Sequence, residues 1–305
     1  MKNLAAFFLF LTTVFATSSI TAQADSSLML KHLLVLTETP VFRNASHPEV
    51  LDEHARYLCS VLRQYCDTAY EQPYRVNEIT YRNVIGELGP KSAPLLVVGA
   101  HYDVCGNQTG ADDNASGVAG MLELARMLHG QPLRYRIQFV AWTLEEPPYF
   151  RSENMGSYVH AASLHEQKAD VYGVLCLEMI GYFKDEAHSQ QFPLGMLKLF
   201  YGNVGNFITV VRKPLKGRFA RKFTRKLRKA DAIPVKRFTA PKWVTGVDFS
   251  DHRSYWKFGY SSLMITDTAF FRNPHYHEKT DTLQTLDLTR MSIVIEEVAR
   301  ALVVL

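Results

Sequence analysis

Residues 95–146, LLVVGAHYDVCGNQTGADDNASGVAGMLELARMLHGQPLRYRIQFVAWTLEE, decide how the rest of the chain is read. Two apolar runs, residues 95–99 and 137–142, have the length and the β-branched or aromatic content of buried strands. Each ends in a burst of ligand-type side chains: His101, Asp103, Asp112 and Asp113 after the first, Glu145 and Glu146 after the second. Between them, Ser116 and Gly117 lead a helix whose Val118, Met121, Leu122, Ala125 and Leu128 recur at helical spacing. In a parallel α/β sheet the carboxyl ends of the strands open onto one edge, so the two bursts are expected to meet in space.

Their charge makes that meeting informative. Carboxylates converging on one pocket repel, and loss of water makes the repulsion worse, so the cluster would protonate or swell apart unless cations joined it. Imidazole nitrogen with carboxylate oxygen, and no thiolate set, suits zinc, and a carboxylate with one oxygen on each of two ions holds a pair about 3.5 Å apart. His101 and Asp103 alone would read as a loop histidine and its hydrogen-bonded acid. GADDNASG and the Glu-Glu pair in the same window favour the metal.

Outward from this window, residues 1–24 combine Lys2, an apolar run over residues 4–15 and Ala22-Gln23-Ala24 before Asp25. That pattern predicts a secretory signal peptide and an exported, periplasmic or secreted product. The apolar run is too short to span a bilayer, and no later stretch approaches the roughly 20 apolar residues a span needs. Residues 25–305 are then expected to form one α/β domain with a mixed, mostly parallel central sheet flanked by helices. Export would place Cys59, Cys66, Cys105 and Cys176 where disulfides can form. Their spacings assign none, and none is that of a zinc ribbon.

The net charge of +4 hides an asymmetry. Residues 212–229, RKPLKGRFARKFTRKLRK, hold ten Lys or Arg and no acid. A solvated helix face is the plain explanation; weak contact with an anionic surface is the alternative. No aromatic platform for nucleic acid interleaves with the run, so no nucleic-acid partner is expected.

Elsewhere, Leu51, Ala55, Leu58 and Leu62 mark a helix over residues 48–65, and residues 76–85 read as a strand. Residues 156–166 read as a helix, 171–179 as a strand closed by Glu178, and 197–201, 207–211 and 233–238 as further strands. A carboxylate ending an apolar run is costly unless a metal or cation sits beside it. The strand at 262–266 leads into a polar loop with His275, Tyr276, His277 and Asp281, able to supply the missing imidazole, and a helix from residue 288 closes the chain.

Four separated motifs, AHYD, GADDNASG, LEE, and SDH with YHEKTDT, resemble in order those of the zinc-dependent exopeptidases typified by secreted bacterial leucyl aminopeptidases and glutamate carboxypeptidases, peptidase family M28. The resemblance runs from about Tyr81 to Leu286. It implies that His101 and Glu178 ligate one zinc, Glu146 and His277 the other, and that Asp113 bridges both, with the Asp113–Asn114 peptide cis. It further implies Glu145 as general base, Tyr276 as the phenol that stabilises the oxyanion, Asp103 supporting His101 and Asp281 supporting His277. The family spacing of four residues to the acid selects His277 over His275. Glu178 stands where many relatives have Asp, a variant that alters the metal spacing.

The function implied is removal of N-terminal residues from peptides. Glutaminyl cyclases share the fold and use one zinc, but lack the second aspartate and the glycine of DDNASG, which are present here. A non-catalytic binding protein is the third reading, and retention of every ligand and of the base counts against it. Substrate preference is not legible: Phe150, Tyr182, Phe183, Phe270 and Phe271 fit a specificity pocket or the core equally well.

Overall fold

The computed structural model describes residues 23–215, 217–229 and 231–305. Residues 1–22, which hold most of the expected signal peptide, lie outside the described residues. The described chain opens with α1 (Ser26–Thr37), capped by the Asp25 carboxylate, which accepts from Leu28 N at 3.0 Å. It had not been anticipated from the sequence; Met29, Leu33 and Leu36 turn inward at helical spacing. Pro48 starts α2 (Pro48–Tyr65), with Leu51, Ala55, Leu58 and Leu62 inward as expected.

Where one strand was expected at residues 76–85, the chain forms a hairpin of β1 (Thr68–Val76) and β2 (Ile79–Leu88). Asn77 and Glu78 both have positive φ, as a two-residue turn matched to strand twist requires. β1 is half exposed, so it lacks the apolar signal that marks buried strands.

The core then follows as β3 (Leu95–His101), α3 (Gly117–Leu128), β4 (Arg136–Trp142), α4 (Gly156–Glu166) and β5 (Val171–Leu177). Next come the short α5 (Lys198–Tyr201), β6 (Ile208–Arg212), α6 (Arg218–Leu227), β7 (Val235–Thr239), α7 (His252–Lys257), β8 (Ser262–Thr266) and α8 (Leu288–Val303). The strand expected at 197–201 is instead a 3-10 turn running into α5. Leu199 and Phe200 are exposed there, so no sheet neighbour rewards extension and the local preference of Met, Leu and Lys for helix decides.

The eight strands lie in the order β1-β2-β4-β3-β5-β8-β6-β7. The central four, β4, β3, β5 and β8, are parallel, whereas β2 pairs antiparallel with β4 and β6 antiparallel with β8. Helices α1, α2, α3, α6 and α8 cover one face, and α4 and α7 the other. Each fully buried Leu, Ile, Phe or Met in these layers contributes about 1.5–3 kcal/mol. Gly99 lets β3 and β4 close tightly, since a Cβ there would lie 2.5 Å from the Trp142 ring. The four parallel strands therefore deliver their carboxyl ends, and the residues that follow, to one edge.

Candidate metal centre

β3 delivers His101, 1% exposed, to that edge. The chain then loops back through Gly110, whose φ of 59° and crowded Cβ position, 2.2 Å from Asp113 O, admit only glycine. Asp113 and Asn114 depart from helical dihedrals and are joined by a cis peptide bond, as the resemblance implied. The loop is held by Arg43, a buried guanidinium that donates to the carbonyls of Leu36 (2.7 Å), Tyr102 (2.8 Å), Gly110 (2.6 Å) and Thr109.

Past β4, a regular strand would send Glu145 and Glu146 to opposite faces. Leu144, with φ 59°, breaks the alternation, and the Asp103 carboxylate holds the turn: its oxygens accept from Glu145 N and Glu146 N, each at 3.1 Å. Glu178 follows β5, receives the Ser250 hydroxyl at 2.7 Å, and precedes Met179, also at positive φ (51°). His277, itself at φ 59°, comes from the loop after β8, its ring stacked on Tyr276 at 3.8 Å.

These side chains form two triads that share one residue. His101 Nε2 lies 3.4 Å from Asp113 Oδ1 and 3.4 Å from Glu178 Oε2. His277 Nε2 lies 3.2 Å from Asp113 Oδ2 and 3.4 Å from Glu146 Oε2. Two ligands on a tetrahedral zinc with bonds of about 2.0–2.1 Å stand about 3.3–3.4 Å apart, longer than the usual direct N–H···O bond of about 2.9–3.0 Å. Both Asp113 oxygens are buried without a hydrogen-bond partner among the described residues. Buried carboxylate oxygens require a partner, and a nitrogen-oxygen donor set at this spacing fits divalent cations. The Glu145 carboxylate shares a cluster with His101 and Glu146, and the Cys105 thiol lies within 4.8 Å of donor atoms of Glu146 and His277.

Electrostatics report the same strain. Burial, then the neighbouring carboxylates, drive Glu145 well above its ordinary value and Glu146 up to about 7. Burial would lower His101, but Glu178, Asp103 and Asp113 outweigh it and push its imidazole well up. Asp281 differs from its expected role. Its oxygens accept from Asp112 N (2.9 Å) and Asp113 N (3.0 Å), so it braces the loop that carries Asp113 instead of the His277 ring. Asp103 does more than support His101, whose Nδ1 is 3.6 Å from its carboxylate, because it also fixes both glutamates. Arg43 carries no motif signal, its bond to Gly110 reaching 67 residues along the chain, and Ser250 belongs to the SDH motif but nothing local marks its bond to Glu178, 72 residues away.

An apolar cavity of about 70 Å³ adjoins the centre, with Glu178 and Tyr276 at its wall and Phe207, Phe249, Phe270, Phe271 and Met264 lining it. Of the five aromatics considered earlier, only Phe270 and Phe271 line it; Phe183 joins the core and Phe150 packs on Phe249.

The model for peptidase family M28 matches residues 83–302. The chain belongs to this family. Among similar proteins, Escherichia coli (strain K12) protein YfbL is 38% identical over 88% of this chain and 84% of its own length. A probable leucine aminopeptidase of Trichophyton verrucosum is 25% identical over 90% of this chain and 71% of its own. The fold matches the Legionella pneumophila LapA aminopeptidase with TM-score 0.70 at 21% identity, covering 92% of this chain and 72% of that one. It matches a Bacteroides thetaiotaomicron glutaminyl cyclase with TM-score 0.68 at 17% identity, covering 92% and 98%. No helix among the described residues is long and apolar enough to cross a membrane.

Proposed function

We propose that this M28 peptidase is an exported aminopeptidase that holds two zinc ions and releases N-terminal residues from peptides. The observation that carries the reading is Asp113, whose two buried oxygens each face a separate histidine-carboxylate pair. His101 and Glu178 would hold one zinc, His277 and Glu146 the other, with Asp113 bridging. When bound, the ions supply Lewis acidity and a water acidified to about pKa 7.

Glu145 lies beside a ligand without belonging to either triad, placed to take a proton from the attacking water and return it to the leaving amine. Asp103 keeps it there through the 3.1 Å bond to its amide. Burial, then the charges of Asp113 and Glu146, hold the Tyr276 phenol protonated far above neutral pH, so it can donate to the oxyanion that develops on the scissile carbonyl. The apolar cavity beside Glu178 and Tyr276 supports a preference for Leu, Met or Phe at the substrate's N-terminus.

Glu145→Gln tests the base: metal content stays at that of the native chain while kcat falls at least ~100-fold. Near-normal turnover removes the role. A kinetic panel of aminoacyl, carboxyl-terminal and dipeptide substrates tests the class, with aminoacyl substrates expected to lead. Cyclisation of N-terminal Gln with one zinc per chain would assign the chain to the cyclases instead.

A further inference from the structure

The second concentration of like charge lies at the other end of the sheet. Along α6 and its C-cap, Arg218, Arg221, Arg225 and Arg228 recur every three or four residues and share one helix face. The opposite face, Phe219, Phe223 and Leu227, is buried in the core. Arg212 at the end of β6 and Arg237 in β7 come from the sheet to face that helix, and the six line one open groove of about 760 Å³. The helix is thus one wall of a concave surface, which a merely solvated helix face would not be.

None of the six takes part in an ion pair among the described residues, and the first acid after the run is Asp231, which is exposed. Arg212 donates to Thr239 Oγ1 at 3.0 Å, which fixes it in the groove beside its like-charged neighbours. Partial burial and the charges of Arg237, Arg221 and Arg228 lower its pKa. Converging guanidinium groups call for an anion as converging carboxylates call for a cation.

The residue type narrows the partner. A guanidinium fork matches the paired oxygens of a phosphate, so the predominance of arginine in the groove, where among cations only Lys222 and Lys229 join the six, points to phosphate groups. Leu215, 96% exposed, stands in the turn between β6 and α6, three residues before Arg218. An isolated apolar side chain beside cations gains nothing from a nucleic-acid backbone, but it gains from entering a headgroup layer. The two phenylalanines of the helix are buried and offer no stacking platform for bases.

We propose that this groove docks the chain on an anionic phospholipid bilayer, with the arginines on headgroup phosphates and Leu215 in the interfacial layer. The site is separate from the metal centre, so docking and hydrolysis can be scored independently.

Co-sedimentation of the full metal-loaded chain with phosphatidylcholine vesicles, with and without phosphatidylglycerol, tests it. Binding is expected only with the anionic lipid, and at least ~10-fold weaker at high salt than at low. The triple variant Arg221→Gln, Arg225→Gln, Arg228→Gln is expected to partition about 100-fold more weakly. Its thermal midpoint and its hydrolysis of a soluble aminoacyl substrate should match those of the parent. Leu215→Ser is expected to lose a further several-fold on vesicles. Equal binding to neutral vesicles, or undiminished binding by the triple variant, overturns the proposal. Full vesicle binding by Leu215→Ser, or tighter binding of a DNA duplex than of vesicles, overturns the bilayer as partner.

Discussion

The metal centre and the arginine groove are two gatherings of like charge, and burial separates their fates. At the centre, Asp113, Glu145, Glu146 and Glu178 are each at most 6% exposed, and both oxygens of Asp113 lack a hydrogen-bond partner among the described residues. In the groove the arginines stay at the surface, where water and salt screen them. The same convergence therefore calls for a counter-ion more strongly in the buried place than in the exposed one. An isolated buried charge costs several kcal/mol, whereas a surface charge substitution usually moves stability by no more than about 0.5 kcal/mol.

The largest expected effect breaks the buried side. Chelation should lower the thermal midpoint by several degrees, and zinc readdition should restore it, because ligands that bind only the folded state stabilise by mass action. Asp113→Asn should abolish binding of both ions, read as metal per chain by atomic emission. It should also leave the metal-free chain less stable than the parent, since burial raises the Asp113 carboxyl but His101 and His277 outweigh it and hold it below its ordinary value. A metal-free Asp113→Asn chain at least as stable as the metal-free parent would show that repulsion among the carboxylates outweighs pairing with the two histidines.

Asp103→Ala comes next. Removing the carboxylate that holds the amides of Glu145 and Glu146 should cost about 10–100-fold in zinc affinity or kcat, measured by competition with a chelating dye and by initial rates. An unchanged affinity and rate would mean that the Leu144 turn sets both glutamates unaided.

Buried histidines extend the comparison to groups that hold no metal. Burial lowers His32 to about 4, His160 to about 3 and His252 to about 4. The unfolded chain binds these protons near pH 6.5 while the folded chain refuses them until pH 3–4, so stability is full above 6.5 and falls as pH drops toward 4. Each proton contributes about 1.4 kcal/mol per pH unit in that window. His160→Gln, measured by urea unfolding on metal-free protein, should remove one proton's share of the slope; an unaltered slope would place the acid sensitivity elsewhere. The smallest effect belongs to the groove, where Arg225→Gln should shift the unfolding free energy by within about 0.5 kcal/mol.

The sequence carried the site further than it carried the frame. His101, Glu146 and Glu178 stand at the ends of apolar runs whose composition marks strands, and the order of four motifs ties them to one edge. The element types of α2, α3 and α8 followed from helical periodicity, because each turns an apolar face to the core, and those of β3, β4, β5 and β8 from short apolar runs, because these strands are buried almost throughout. β1, α5 and the bracing by Arg43 and Asp281 did not. A half-exposed edge strand has no apolar run, a four-residue helix off the sheet is decided by weak local preference, and hydrogen bonds from Arg43 to carbonyls 59 and 67 residues on leave no local mark. The apolar cavity was likewise hidden, since Phe270 and Phe183 look alike until the fold assigns one to a wall and the other to the core.

One reversal of direction sets how the molecule can work at an interface. Because β6 runs against β8, Arg212 sits beside Leu263 at the start of β8, while the loop bearing His277 leaves from the far end of that strand. A chain lying on its arginine flank would keep its mouth turned toward the surrounding fluid, where freely diffusing peptides arrive. Anchoring and feeding then use opposite poles of one sheet, and neither obstructs the other.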